Sequence, residues 1–181
     1  QTGDASINEM FTKLAEKDLQ RGEIFGVPAA LIVLLIVFGA LLAACTPLLL
    51  SIISIVLALA MTALIGQVYP MNTFVLNILT MMGLAVGIDY TLFVISRYRE
   101  ERARGLAKID AITATGATAN RAIFFSGMTV VLAMTGMVII PLDIMISMGV
   151  GVMLVVVTTL LTALIALPAL LSLLGDKVDA L

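Results

Sequence analysis

Apolar residues dominate long uninterrupted runs of this chain, and polar residues cluster in the short stretches between them. Runs approaching the roughly 20 residues needed to cross a bilayer predict membrane helices. Five are expected, at about 24–42, 47–65, 74–96, 122–140 and 144–174. Ahead of them, Ile7, Met10, Phe11 and Leu14 recur at helical spacing behind a Ser6/Glu9 capping pair. Residues 1–23 are therefore expected to hold a short amphipathic helix and linker. The fold class is an all-α membrane protein, a five-transmembrane-helix bundle preceded by that helix.

Local signals sharpen the borders. Pro28 suits the opening turn of the first span, where a missing N–H does little harm. Ala43–Thr46 reads as a tight turn, with Thr46 and Pro47 as cap and first residue of the second span. Residues 66–73, containing Pro70 and Asn72, form the next connection. Pro141-Leu142-Asp143 reads as a turn with Asp143 as an N-cap, and Gly175 as a helix stop.

Composition agrees: 61% of the residues are hydrophobic and 12% charged, with a mean hydropathy of +1.17. Soluble domains carry about a quarter charged residues. The net charge of -2 matters less than its placement, because six of the ten Lys and Arg fall between 97 and 121. The positive-inside rule makes 97–121 a cytoplasmic loop, 175–181 a cytoplasmic tail and 1–23 extracytoplasmic.

A single cysteine, Cys45, excludes an intrachain disulfide, and the lack of histidine excludes a Cys/His zinc site. Leu42-Ala43-Ala44-Cys45 resembles a lipoprotein cleavage box but lacks a short basic head before it, which favours a small-residue turn. Gln1 and the net acidic opening are wrong for a signal peptide, so the chain reads as excised from a longer protein. No cofactor, metal site or nucleic-acid partner is expected.

Asp89 is the one ionisable residue well inside a predicted span, about 12 Å above the Arg97 border at 1.5 Å per residue. Burying a carboxylate there costs a few to more than ten kcal/mol, so it is expected to face the bundle interior and to mark an ion or proton path. Ala85, Val86, Leu92 and Phe93 give its face an apolar surround. Tyr90 projects about 100° away and reaches a different neighbour. Gly83 and Gly87 form a small-residue face for helix packing. Ser126, Thr129 and Thr135 either bond a protonated carboxyl or bond their own backbone.

The segment from Gly83 to Glu101, with its Asp89-Tyr90 pair, its Phe93-Val94-Ile95-Ser96 run and its basic-acidic exit, closely resembles the fourth transmembrane helix of MMPL (mycobacterial membrane protein large) transporters of the resistance-nodulation-division superfamily. Asn120-Arg121 through Phe125-Ser126 is similar to the start of that family's fifth helix. The resemblance implies a proton-driven secondary transporter, not an enzyme, in a bacterial inner membrane. It implies a proton relay through Asp89 and Tyr90, with Ser126 nearby, and a cargo of lipids or hydrophobic compounds. It also implies partners that these residues lack: a second transmembrane half, two porter domains and the first helix. The chain would then be helices two to six of the first half, inactive alone. A sterol-sensing-like lipid-binding module without pumping, and a plain anchor for extracytoplasmic domains, are the rival readings.

Overall fold

A computed structural model describes Gly26, residues 28–36 and residues 41–174 of the chain. These are helical throughout, apart from short connections. The elements are α1 (residues 28–36), α2 (Leu41–Gly66), α3 (Phe74–Ala103), α4 (Lys108–Thr115), α5 (Arg121–Ile139), α6 (Asp143–Leu161) and α7 (Leu167–Leu174). A π-helical turn, Gly116–Asn120, joins α4 to α5, and another, Thr162–Ala166, joins α6 to α7. Among the described residues, four continuous helices are long and apolar enough to cross a membrane: Cys45–Gly66, Phe74–Ala103, Lys108–Ile139 and Asp143–Leu173. The expected amphipathic helix and the Gly175 stop lie outside the described residues, and so does part of the expected first span.

Helices α2, α3 and α6 pack on one another in a triangle, and α5 docks on α6. Their shared core holds Leu50 and Ala58 of α2, Val75, Leu79, Val94, Ile95 and Tyr98 of α3, and Val152, Val155, Val156 and Leu160 of α6. Lipid chains are as apolar as these residues, so association rests on close van der Waals fit. Glycine supplies that fit. A Cβ on Gly83 would overlap the Ile55 side chain of α2 and meet Val155 of α6, and one on Gly87 would overlap the Ser51 hydroxyl and approach its Cα to 3.0 Å. Thr159 of α6 donates to the Val155 carbonyl at 2.6 Å and sits 3.3 Å from Ser54 Oγ of α2, a buried polar contact across the same seam.

Three borders differ from expectation. Residues 43–46 are helix, not a turn, since α2 begins at Leu41 and carries Pro47 inside it. Pro47 has no N–H to give the carbonyl four residues earlier, a loss that falls near the start of α2, and Ser51 Oγ donates to the Pro47 carbonyl at 2.7 Å as an ordinary back-bond within the helix. Residues 97–121, expected as a loop, are helical apart from 104–107. The break falls where Gly105 takes φ +91°, open to glycine without a Cβ penalty. Finally, Leu142 rather than Asp143 is the N-cap of α6. Asp143 stands one residue later and accepts a 3.0 Å hydrogen bond from the Tyr69 hydroxyl, which holds the Tyr69 phenol above its ordinary value of 10.0.

Candidate functional site

The site is built on α3, whose two long faces differ. Val75, Leu79, Gly83, Gly87 and Thr91 recur every fourth residue on the buried face. Met81, Ala85, Asp89 and Phe93 recur at the same interval on the opposite face, and Ser96 and Glu100 continue it; all six are exposed. Asp89 therefore lies on the outer surface of the described bundle, which corrects the expectation that it faces inward. The cause is spacing: Gly83 and Gly87 fix the inward direction, and Asp89, two residues past Gly87, lies about 200° round the helix from it.

Tyr90 is half-buried and packs against the core. Ser126 is exposed on α5, and because α5 docks on α6 rather than on α3, the fold does not bring Ser126 to Asp89. No hydrogen bond or ion pair engages Asp89, Tyr90 or Ser126 among the described residues. Thr129 donates to Phe125 O at 2.8 Å and Thr135 to Leu132 O at 2.5 Å, so both are spent on their own helix. Close by, the Arg121 guanidinium lies 5.8 Å from the centre of the Phe125 ring, which packs edge-on against Phe124.

Below Asp89 the helix ends in a charge lattice. Read as sequence, Arg97–Arg104 is an orientation signal and headgroup contact; in the fold these residues also bond one another. Arg97 reaches Glu100 at 2.6 Å and Glu101 at 2.8 Å, while Arg104 reaches Glu100 at 2.7 Å and Glu101 at 3.0 Å. Spacings of three and four residues put these partners on adjacent turns, a signal already present in the sequence. Glu101 is buried at 5% exposure, so its two arginines do more than decorate a surface. Arg102 donates to the Leu106 carbonyl at 3.1 Å across the turn. Lys108 donates to the Ser172 carbonyl at 2.9 Å and ties α4 to α7.

A groove of about 370 Å³ runs along the exposed face beneath Asp89, lined by Phe93, Ser96, Arg97 and Glu100 of α3 and by Thr118 and Ala119 of the π turn. Nothing in the sequence pattern announces it, because a π turn has no composition of its own.

The chain was compared with known proteins. Residues 2–180 match the model of the MMPL family. The mycolic acid-containing lipids exporter MmpL11 of Mycolicibacterium smegmatis is 36% identical over 173 residues, 96% of this chain and 18% of that protein. The trehalose monomycolate exporter MmpL3 of the same organism is 31% identical over 180 residues, covering 98% and 18%. The heme uptake protein MmpL11 of Mycobacterium tuberculosis H37Rv is 34% identical over 170 residues, covering 94% and 18%. The chain thus spans about a fifth of the length of these curated relatives. With apolar helices of membrane-crossing length and a match along nearly all of its residues, the chain belongs to the MMPL family of membrane transporters.

Proposed function

We propose that this chain is the proton-carrying transmembrane part of an exporter of lipids or other hydrophobic compounds, driven by the proton gradient across a bacterial inner membrane. The observation that carries the reading is Asp89, an exposed carboxyl midway along a membrane-crossing helix, on a face otherwise made of Met81, Ala85 and Phe93. A charged carboxylate against lipid there costs several kcal/mol, whereas its protonated form costs far less. The face is thus stable in two different settings depending on one proton. A further part of the full-length protein, with a polar group of its own, covers this face when Asp89 is charged.

The cycle follows from that difference. Protonation removes the charge and loosens the grip between α3 and the covering segment, and proton loss restores it. Each proton moved across the membrane supplies about 2.3 kcal/mol per 100 mV, in addition to the pH difference. Tyr90, next to Asp89 but turned toward the core, couples the charge state to helix packing. The Arg97 end of α3 is the cytoplasmic end in this reading, because it holds most of the basic residues. The exporter relatives named above support a lipid cargo; cargo selection belongs to parts of the protein beyond these residues.

The test is proton-driven transport in proteoliposomes of the full-length parent, wild type against Asp89→Asn, with both checked for folding. Loss of gradient-dependent transport in a folded variant is expected. Unchanged coupling would sink the proposal and favour lipid sensing or anchoring.

A further inference from the structure

We propose that a second cavity, bounded by α3, α4, α7 and both π turns, is a binding site for a small neutral hydroxyl compound, an alcohol or phenol of bicyclic size taken from the membrane. It shares no residue with the groove beneath Asp89, and the inference stands whatever Asp89 does.

The walls converge from separate parts of the chain. Val94 of α3, Ile112 of α4, Leu164 of the second π turn, and Pro168 and Leu171 of α7 make them largely apolar. Val94 and Leu171 are buried, so the cavity reaches into the packed interior. Val94 also lies three residues before Arg97, about 4.5 Å on the apolar side of that border. Amphipathic ring compounds concentrate at this level of a bilayer. Nearby, Lys108, one turn before Ile112, donates to the carbonyl of Ser172, the neighbour of Leu171, at 2.9 Å. One bond thus fastens the α4 wall to the α7 wall.

Size and polarity select the ligand. The volume is about 240 Å³. An apolar cavity of about 150 Å³ takes one benzene, so this one takes a group roughly half as large again. Water suits it poorly, because about eight molecules at roughly 30 Å³ each would need two to four polar partners apiece. Only Thr115 and Asn120 among the lining residues carry polar side chains, and Thr115 gives its proton to the Ala111 carbonyl at 2.7 Å. The Oδ1 of Asn120 is buried and has no hydrogen-bond partner among the described residues. Leaving such an acceptor unpaired is costly. With no bond holding this oxygen, the amide can turn and present either its oxygen or its NH2 to an occupant. A hydroxyl both donates and accepts, so it serves either orientation, while the rest of the ligand meets apolar walls.

Loose packing is not general in this bundle. A Cβ added to Gly83 or Gly87 collides with a neighbouring helix, whereas one added to Gly116, on the cavity wall, meets only Asn120 Nδ2 at 3.5 Å, an ordinary contact. The chain keeps room at this one place, where a side chain would fit. π turns within helices are frequent at functional sites, and two of them border this single cavity. A ligand seated there touches α3, α4 and α7 at once, and one that fits only this arrangement shifts the protein toward it.

The experiment is equilibrium dialysis of naphthol, a bicyclic phenol, against the full-length parent in nanodiscs, with empty nanodiscs of the same lipid subtracted for partition. Wild type is expected to bind naphthol saturably, one per chain. Gly116→Leu and Ile112→Phe fill the space from two walls and are expected to weaken binding at least tenfold, with folding checked by melting temperature. Asn120→Leu keeps the volume and removes the amide. It is expected to weaken naphthol binding at least threefold and to leave naphthalene, the same rings without a hydroxyl, within twofold of its wild-type affinity. Absence of saturable naphthol binding to wild type, or wild-type affinity in a folded cavity-filling variant, would overturn the site. Undiminished naphthol affinity in Asn120→Leu would overturn the amide as the hydroxyl's partner, and with it the ligand class. Should neither filling variant fold, wild type and Asn120→Leu decide the matter between them.

Discussion

The two faces of α3 carry the same helix through the same membrane and answer to different demands. On one, Gly83, Gly87 and Thr91 let α2 and α6 come within contact distance, and almost any added atom collides. On the other, Ala85, Asp89 and Phe93 touch little within the described bundle, and added atoms meet open space. The packed face specifies the fold, and in the proposed function the open face is kept for chemistry. A carboxylate that stabilised the bundle would be fixed in one state and useless as a switch.

Substitutions that separate folding from transport test this division. The largest effect is expected from Asp89→Asn in the full-length parent, where gradient-driven transport falls to background while the melting temperature does not drop, because no bond within the bundle is lost. Next, Gly87→Leu is expected to cost about 3 kcal/mol or more, since overpacking typically costs 1–3 kcal/mol and here the Ser51 backbone must also move. Ala85→Leu, two residues away on the open face, should change stability by no more than about 0.5 kcal/mol. Chemical denaturation of both variants in detergent checks the pair, and equal losses would erase the distinction between the faces.

The charge lattice repeats the contrast at the end of the helix. Glu101→Ala removes a buried acceptor shared by Arg97 and Arg104 and is expected to cost about 1.5–3 kcal/mol. Glu100→Ala, half-exposed, is expected to cost under about 1 kcal/mol. High salt should shrink the Glu100 effect and leave most of the Glu101 effect, which a denaturation series at two salt concentrations reads directly. The smallest effect belongs to Tyr69→Phe at the opposite end. Because the Tyr69 phenol is raised above 10.0 in the folded state, its bond to Asp143 contributes fully below pH 10 and is lost as the pH climbs past that value. Alkaline melting curves of wild type and Tyr69→Phe should converge there.

The spans from 74 to 96 and from 144 to 174 were legible because long apolar runs admit few alternatives, and the carboxyl at Asp89 stood out against one of them. The border at 43–46 was not, since Thr46-Pro47 has the look of a helix start although the helix already runs from Leu41. Residues 97–121 looked like a loop because charge and polarity mimic one. At the end of α3, i, i+3 and i, i+4 ion pairs join Arg97 and Arg104 to Glu100 and Glu101, so that part of this charge is matched along the helix itself. The outward aim of Asp89 depends on which face the glycines claim, and an apolar run does not reveal that. Ser126 resembled a neighbour of Asp89 by motif alone, and the docking of α5 on α6 keeps the two helices apart.

The π turn at Gly116–Asn120 bears on how a protein of this kind tolerates changes in length. Each of its hydrogen-bonded loops encloses one residue more than an α turn. A chain shortened by one residue there closes the same stretch as plain α-helix, and the faces of α4 and α5 keep their relative directions. Elsewhere in a membrane helix, one lost residue rotates everything beyond it by about 100° and turns packed faces toward lipid. Insertions and deletions in this region of the chain are therefore expected to gather within those five residues.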